Sequence, residues 1–341
     1  MVVQCAYGDR QLLGSYDLTG KTVVPFCTST DNGIDVSMDY IREVSDGANV
    51  LEGYRVHNSN LEDISAWLEQ IGMLEKTDRL DDRESESEIA DISPKENSLG
   101  YVTEGTEEYR GFVIDNVFHS VNEGDIHYNV YIPENYDGSE PYALYFTLPG
   151  YEGLYFQGIA SNLKSEEFEF EAQKYNSKMI IVAPQLSDWG ETSANQTIAL
   201  VEYFLETYNI DRLKLYANGF SGRGETMSQV VGKRPDLFTA YLQVSSQWDG
   251  EYDAVAEQHL LVYFAIGRND EYYDSELGQK AYDELYSLYK EQGFSDAEID
   301  KLLVLDIKEH DYFTERGMSN EHGGGGLFAY DEEIMGWLFS Q

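Results

Sequence analysis

The feature that most limits the fold of this chain is a regular alternation of short apolar runs with longer amphipathic segments in its C-terminal two-thirds. Segments such as Thr197–Thr207 and Gln279–Gln292 have the length and apolar spacing of helices. The shorter apolar runs have the length of strands, and they are Met179–Ala183, Leu213–Ala217, Tyr241–Ser245, Leu260–Ile266 and Leu302–Ile307. This alternation predicts an α/β fold with a mostly parallel central sheet, helices on both faces and functional loops at the carboxyl ends of the strands.

A different pattern precedes this alternation. The apolar runs Phe112–Phe118 and Ile126–Ile132 are separated by a turn at Glu123 and Gly124, and a third run follows at Tyr142–Leu148. Strands joined by a short polar turn pair in antiparallel fashion. We therefore expect two antiparallel strands to lead into the parallel part of the sheet.

Residues 76–108 have the composition of a linker. Their sequence, KTDRLDDRESESEIADISPKENSLGYVTEGTEE, is crowded with acidic and small polar residues and has no sustained apolar period. This stretch divides the chain into an N-terminal segment, 1–75, an acidic linker, 76–108, and a larger domain, 109–341.

The N-terminal segment has the pattern of a small β-α-β-α unit. The predicted order is strand Thr22–Thr28, helix Val36–Val44, strand Asn49–Val56 and helix Asn60–Ile71. A sheet of two strands leaves an edge unpaired, and such edges tend to pair with another chain. We expect this unit to pack on the larger domain or to self-associate with a second copy.

The net charge limits the possible partners. The chain has 63 acidic and 23 basic residues, which gives −40 at neutral pH. A charge of this sign and size repels nucleic acid and anionic membrane surfaces. We expect neither as a partner, and the hydrophobic fraction of 42% is that of a folded globular protein.

The N-terminal sequence and the cysteines indicate no targeting segment or metal site. The first residues lack the basic start and apolar core of a secretory signal, and no apolar run is long enough to cross a bilayer. We therefore expect a cytoplasmic location for the chain as given, without membrane insertion, and secretion if the natural N-terminus has been truncated. Cys5 and Cys27 lack the spacing of metal ligands, so we expect both to be structural and no metal to be bound.

Ser221 is the candidate nucleophile. In LKLYANGFSGRGETMSQVV it lies between an apolar strand and a helix-compatible run, and its glycine neighbours are Gly219, Gly222 and Gly224. Small neighbours are typical of a nucleophile elbow, the strained strand-to-helix turn that exposes a catalytic serine. The usual pattern is G-x-S-x-G, and Arg223 stands at its last position. The flanking glycines supply the clearance if Arg223 points outward.

A serine hydroxyl needs a histidine to accept its proton and a carboxylate to orient that histidine. Asp270 directly follows an apolar strand in YFAIGRND and is the preferred acid. Asp274 is an alternative because it is close in sequence, and Asp249 is another because it follows the preceding strand.

Two histidines lie between the last strand and the terminal helix, where the base is expected. His322 begins the flexible tract HGGGG, which lets an imidazole approach Ser221 without steric obstruction. We favour His322 over His310. The other histidines are expected to be structural, and they are His57, His119, His127 and His259.

Acyl transfer also needs two hydrogen-bond donors for the tetrahedral oxyanion. One is normally the amide after the nucleophile, which is that of Gly222, and the other comes from the loop after the third strand. In FTLPGYEGLYFQG that loop begins at Gly150, so the second expected donor is the amide of Tyr151.

The N-terminal segment resembles the C-terminal part of a flavodoxin-like domain. The resemblance lies in SYDLTGKTVVPFCTS, NVLEGYRV and EDISAWLEQIGML. Such domains hold the flavin phosphate with a polar loop after their first strand, and nothing before Thr22 supplies a strand followed by that loop. The resemblance therefore implies a partial flavodoxin-like fold without flavin, and we expect no cofactor.

The larger domain resembles bacterial α/β hydrolases described as esterases or as prolyl-oligopeptidase-family peptidases. The motifs that carry this resemblance are GYEGLYFQG, DWGETSANQT, GFSGRGETMS, VSSQWDG, GRNDEYY and NEHGGGG. It implies an α/β-hydrolase fold from Tyr109 onward and a triad of Ser221, Asp270 and His322. The expected function is cleavage of a carboxylic ester through an acyl-enzyme, on a small-molecule ester or short peptide. A prolyl-oligopeptidase-like peptidase and a non-catalytic binding module derived from a hydrolase are the alternatives.

Overall fold

The computed structural model of the chain describes residues 19–28, 38, 41–43, 45, 47–56, 67, 71 and 97–341. The chain divides into two compact units, Met1–Ala90 and Asp91–Gln341. Of the predicted N-terminal elements, most of the helices Val36–Val44 and Asn60–Ile71 lies outside the described residues, and so do Cys5, His57 and residues 76–96 of the expected linker.

The first unit contains short parallel strands. They are β1 (Thr22–Val23), β2 (Phe26–Thr28), β3 (Asn49–Val50) and β4 (Tyr54–Val56). Strand β1 pairs with β3, and β2 pairs with β4. The predicted continuous strands 22–28 and 49–56 are thus each interrupted. Pro25 explains the first interruption because it has no N–H to donate, although its carbonyl accepts from Tyr54 N at 3.0 Å.

The second unit is built around one ten-stranded sheet. Its strands are β5 (Gly100–Thr103), β6 (Glu107–Tyr109), β7 (Phe112–Ser120), β8 (Gly124–Tyr131), β9 (Tyr142–Leu148), β10 (Met179–Pro184), β11 (Ile210–Phe220), β12 (Ala240–Val244), β13 (Leu261–Gly267) and β14 (Leu303–Lys308). They lie in the order β14-β13-β12-β11-β9-β10-β8-β7-β5, and β6 also pairs with β7. Strands β9 to β14 are parallel, and β7 and β8 are antiparallel, as the sequence predicts.

The prediction that the linker extends to residue 108 is wrong, because the last residues of this segment form strands of the sheet. Strand β5 pairs with β7 in antiparallel fashion, and so does β6. In β5 the buried positions are Gly100 and Val102, while Tyr101 and Thr103 are exposed. A single buried branched side chain is too weak a signal for a strand to be found by apolar periodicity.

Helices cover both faces of the sheet. They are α1 (Asn162–Ser165), α2 (Phe168–Ala172), α3 (Glu191–Thr207), α4 (Gly222–Lys233), α5 (Asp253–Gln258), α6 (Ser275–Glu291), α7 (Asp296–Ile299), α8 (His310–Thr314) and α9 (Glu332–Phe339). Short 3-10 helices at Tyr151–Gly153 and Gly323–Tyr330 lie in the loops after β9 and β14. No helix in the described ranges is both long and apolar enough to cross a membrane.

The side chains of the sheet alternate between two apolar cores. In β9, Leu144 and Phe146 belong to the core that includes α3, α4 and α6, while Ala143 and Tyr145 belong to the core that includes α2 and α9. This is the two-residue period of a strand buried on both faces. The sheet therefore holds the carboxyl ends of β9, β11 and β13 at fixed positions along one edge.

Substitution of Gly100 tests whether β5 is a structural strand. An added Cβ would lie 2.2 Å from the carbonyl oxygen of His119, and the φ angle of Gly100 is +149°. Gly100→Ala should therefore lower the free energy of unfolding by about 1–3 kcal/mol and loosen the pairing of β5 with β7. Urea unfolding and amide hydrogen exchange measure these effects. Gly190→Ala is the control, since its Cβ meets nothing within 4 Å, and equal stability of the two variants would contradict the prediction.

Candidate active site

Ser221 lies at the sharp turn between β11 and α4. Its backbone has φ 57° and ψ −135°, a conformation that non-glycine residues rarely adopt. The turn is held by the amide of Ser221, which donates to Val244 O at 3.0 Å, and by the amide of Gly224, which donates to Ser221 O at 2.8 Å. The serine side chain therefore projects from the end of a rigid strand.

Two glycines allow β11 and α4 to approach so closely. A Cβ on Gly219 would lie 2.6 Å from the carbonyl oxygen of Arg223, and a Cβ on Gly224 would lie 2.4 Å from Cβ of Ser246. The clearance that the elbow requires is thus supplied by Gly224, one position later than the usual pattern. The condition that Arg223 points outward is wrong, since its side chain is only 1% exposed and donates through Nη2 to Leu186 O at 2.9 Å.

The structure brings together the serine, histidine and aspartate that the sequence singles out. Ser221 Oγ lies 3.0 Å from His322 Nε2. His322 Nδ1 lies 2.9 Å from Asp270 Oδ1 and 3.0 Å from Asp270 Oδ2. These contacts have the lengths of hydrogen bonds, and they join the three side chains in one line. The ring of Phe220 stacks on the imidazole at 5.4 Å.

Asp270 is buried and held by the backbone that follows it. Its Oδ1 accepts the amide of Tyr272 at 3.0 Å and that of Tyr273 at 2.8 Å. These two donors satisfy acceptor sites of the buried carboxyl group. The carboxylate is therefore available to fix the tautomer of His322 that carries its proton on Nδ1.

The loop that carries His322 is fixed by two further carboxylates. Glu271 accepts the amide of His322 through Oε2 at 2.9 Å and the amide of Glu321 through Oε1 at 3.2 Å. Glu321 is buried and accepts the amide of Asn269 at 2.6 Å. The loop after β14 is thereby tied to the loop after β13. Sequence reasoning missed both residues, although each directly adjoins a member of the predicted triad.

The alternative acid and base residues lie elsewhere. His310 Nδ1 contacts Glu321 Oε1 at 2.9 Å and is half exposed. Asp274 caps the N-terminus of α6 by accepting from Glu276 N at 3.0 Å. Asp249 accepts from Gln247 Nε2 at 3.0 Å. In the described part of the chain, none of the three is hydrogen-bonded to Ser221 or His322, so the geometry favours Asp270 and His322.

The expected oxyanion donors both begin helical turns. Gly222 is the first residue of α4, and Tyr151 is the first residue of the 3-10 helix Tyr151–Gly153, so neither amide has an acceptor within its own helix. The amide of Gly150 is not available, because it donates to Glu166 Oε1 at 2.6 Å. The two free amides line the same cavity as Ser221.

Glu166 and Arg223 are buried ionisable groups in the wall of this cavity. Burial raises the pKa of Glu166 to about 8, and burial lowers the pKa of Arg223 to about 9. Glu166 Oε2 and the Nε and Nη1 atoms of Arg223 have no hydrogen-bond partner among the described residues. Arg223 nevertheless lies near Asp188 and Glu166, whose charges favour its protonated form. Apolar spacing gave no sign of either residue's role.

The cavity above Ser221 has a volume of about 710 Å³ and is partly aromatic. Its aromatic and acidic lining residues are Tyr151, Glu152, Glu166, Trp189, Phe220, Glu225, Tyr272 and Tyr273. This volume suits a small organic molecule or a short peptide segment. Across the described ranges, no three or more His, Cys, Asp or Glu side chains are grouped to hold a metal ion.

Two protein families match the sequence. The prolyl oligopeptidase family matches residues 186–305, which include Ser221 and Asp270, and the flavodoxin family matches residues 9–71. No curated protein sequence matches the chain. The first match begins in the loop after β10 and ends within β14.

Solved structures are similar to this chain over about two-thirds of its length. The crystal structure of a thermostable esterase is 19% identical, with a TM-score of 0.55 over 68% of this chain and 63% of that chain. Oligopeptidase B from Leishmania major is 14% identical, with a TM-score of 0.43 over 67% of this chain and 37% of that one. Est1E from Butyrivibrio proteoclasticus is 13% identical, with a TM-score of 0.44 over 67% and 98%. The chain thus spans less than two-thirds of the esterase that it matches best among these.

These likenesses establish an α/β-hydrolase fold, preceded by a flavodoxin-like segment. The fold and the prolyl oligopeptidase family match together support a serine hydrolase of the α/β-hydrolase kind.

Glu166→Gln tests the burial of the Glu166 carboxyl. The variant keeps an acceptor for the amide of Gly150 but does not ionise. The folded-state pKa of Glu166 is raised from 4.5 to about 8, so its contribution to stability is present at low pH and is lost as the pH rises between these values. The free energy of unfolding of the wild type, relative to the variant, should fall by up to about 1.4 kcal/mol per pH unit in that window.

Urea unfolding followed by tryptophan fluorescence at several pH values measures this difference. The control is Glu291→Gln, which neutralises an exposed carboxylate at the end of α6. If wild type and Glu166→Gln change in parallel with pH, the carboxyl of Glu166 does not have a raised pKa.

Proposed function

We propose that this protein, an α/β-hydrolase-fold chain, is a serine hydrolase that cleaves carboxylic esters through an acyl-enzyme intermediate. The observation that carries the proposal is the continuous hydrogen-bonded line from Ser221 Oγ through the His322 ring to Asp270, with contacts of 2.9 to 3.0 Å. The serine lies at a strained turn on the floor of an open cavity. This combination is the one that activates a hydroxyl for acyl transfer.

In the first half of the reaction, Ser221 Oγ attacks the carbonyl carbon of the ester while His322 Nε2 takes the hydroxyl proton. The carbonyl oxygen becomes negatively charged and accepts hydrogen bonds from the amides of Tyr151 and Gly222. The buried carboxylate of Asp270 stabilises the imidazolium. Collapse of this intermediate breaks the bond to the alcohol oxygen, which leaves with the proton of His322.

In the second half, water replaces the alcohol. The water oxygen attacks the acyl carbon while His322 takes a proton from the water. The amides of Tyr151 and Gly222 stabilise the second oxyanion. Collapse returns the proton to Ser221 Oγ and releases the carboxylic acid. The cycle uses one water molecule per ester and leaves the enzyme unchanged.

A peptidase with the same residues is the second candidate. The match of residues 186–305 to the prolyl oligopeptidase family favours it, whereas the shared fold with a thermostable esterase is compatible with ester cleavage. An alcohol leaves a tetrahedral intermediate more easily than an amine, so the ester reaction makes the smaller demand on the site.

Replacement of the nucleophile tests whether the protein is an enzyme of this kind. Ser221→Ala should lower kcat on p-nitrophenyl esters by a factor on the order of 10⁶ and abolish labelling by a fluorophosphonate, since both need the serine oxygen. Equal labelling of wild type and variant would rule out Ser221 as the nucleophile. An inactive, unlabelled wild type would favour a non-catalytic binding module.

The two histidines of the last loop region form a matched pair for testing the base. His322→Ala should lower kcat by a factor on the order of 10⁴ or more, because Ser221 then has no proton acceptor. His310→Ala removes an imidazole that also contacts a carboxylate, and most of the activity should remain. Steady-state kinetics on a p-nitrophenyl ester measures both. A larger loss of kcat in His310→Ala than in His322→Ala would identify His310 as the base.

Substrate class is tested by comparing ester and peptide bonds on the same preparation. We expect kcat/KM for short-chain p-nitrophenyl esters to exceed that for a prolyl p-nitroanilide peptide, and both activities to disappear in Ser221→Ala. A higher value for the peptide would instead support the peptidase.

A further inference from the structure

The side of the cavity that receives the leaving group is identified by His322. In the proposed function, on which this inference rests, His322 donates its proton to the departing oxygen, so the leaving group must lie beside its ring. The rings of Tyr272 and Tyr273 lie 4.7 Å and 5.6 Å from that of His322, and both line the cavity. These two tyrosines therefore border the leaving group.

Tyr272 is unusually open to solvent for an aromatic residue. Its side chain is 76% exposed although it lies directly beside the imidazole. Other exposed aromatic residues at the cavity are Tyr151 and Trp189, whose rings lie 6.2 Å apart. Exposed aromatic faces grouped at one site are typical of ligand binding.

A carboxylate in the same cavity, that of Glu225, is hydrogen-bonded to Tyr273. Glu225, in the first turn of α4, accepts a hydrogen bond from the Tyr273 hydroxyl at 2.5 Å and lines the cavity. Burial raises the pKa of Glu225, and the hydrogen bond from Tyr273 opposes this rise by stabilising the ionised carboxylate. In the described part of the chain, no lysine, arginine or histidine forms an ion pair with Glu225. A negative charge is therefore left uncompensated on the leaving-group side.

Glu152 is a second carboxylate in the lining of the cavity. Glu166 also lines it, but burial raises its pKa to about 8 and so favours its neutral form near pH 7. The whole chain carries −40, which raises the local concentration of cations and lowers that of anions.

Arg223 does not reverse this sign. Its guanidinium lies within the wall, bonded to Leu186 O, and the charges of Asp188 and Glu166 act on it. Arg223 is only 1% exposed, so the carboxylates of Glu152 and Glu225 are more accessible to a ligand than its guanidinium is.

We propose that the leaving group of the substrate carries an ammonium cation, bound between the rings of Tyr272 and Tyr273 and the carboxylate of Glu225. The face of an aromatic ring attracts a cation through its quadrupole, and this attraction is strongest where water is displaced. The carboxylate adds a charge of opposite sign in a partly buried position. The substrate class is an ester of a quaternary or protonated amino alcohol.

A pair of esters that differ only in charge tests this proposal. Butyrylcholine carries a quaternary ammonium, and 3,3-dimethylbutyl butyrate has the same shape without the charge. We expect kcat/KM for the choline ester to exceed that for the neutral ester by about tenfold or more at low salt. The ratio should fall as the salt concentration rises, since salt screens charge interactions. A ratio of one or less would overturn the proposal.

Three variants identify the residues responsible. Glu225→Gln keeps the size of the side chain and an acceptor for Tyr273, and it should lower the ratio towards one. Tyr272→Ala should also lower the ratio. Glu291→Gln makes the same change in net charge at an exposed position on α6, and its ratio should equal that of the wild type. If Glu225→Gln and Glu291→Gln change the ratio equally, the site does not bind the cation through Glu225.

The failure of this proposal can be distinguished from failure of the proposed function. Fluorophosphonate labelling of Ser221 and hydrolysis of the neutral ester report the function alone. If both occur and the choline ester is not preferred, the ammonium site is rejected and the serine hydrolase function is retained. If neither ester is cleaved and Ser221 is not labelled, both the ammonium site and the serine hydrolase function are rejected. Protection of Ser221 from labelling by tetramethylammonium would support the site independently of turnover.

Discussion

The site depends on the close approach of β11 and α4 at Ser221. The strained backbone of the serine is possible only because Gly219 and Gly224 carry no side chains, and a methyl group on either would overlap the backbone or Ser246. Such strain persists only where the surroundings enforce it, and here β12 does so by accepting the Ser221 amide at Val244. The parallel sheet thus fixes the nucleophile, and the loops after β9, β13 and β14 bring the remaining groups to it.

A second constraint acts on the histidine rather than on the serine. The tract after His322 is rich in glycine, and a free loop of that composition has much conformational entropy. Glu271 and Glu321 offset it with hydrogen bonds between the loops, since Glu271 accepts amides of the His322 loop and Glu321 accepts an amide of the Asp270 loop. Part of the acidity of this chain therefore has a local structural use, since these carboxylates hold the His322 loop against the Asp270 loop.

The mostly parallel sheet and the residues that meet at Ser221 could be predicted because each rests on a local signal. Buried parallel strands are continuous apolar runs, Ser221 and Asp270 lie just after two of them, and His322 lies between the last strand and the terminal helix. Strand β5 could not be found in this way, because only Val102 marks its buried face. Glu166, Glu271 and Glu321 act on backbone amides, and Glu166 reaches Gly150 from 16 residues away. An acidic residue bound to a distant amide looks like any other in sequence, so these roles need the tertiary structure.

Arg223 shows why a departure from a motif need not weaken the site. A glycine at its position would leave the buried Glu166 beside Glu152 without a nearby positive charge, and the charge of Arg223 opposes the rise in the pKa of Glu166. In return, Glu166 and Asp188 favour the protonated guanidinium that burial disfavours. Glu166 in turn holds the amide of Gly150, next to the expected oxyanion donor Tyr151. The arginine is therefore linked through Glu166 to the oxyanion loop, while Gly224 provides the space that the usual glycine would have given. Gly224 thus supplies the clearance that the motif normally requires, and Arg223, at the motif position itself, supplies a positive charge near Glu166.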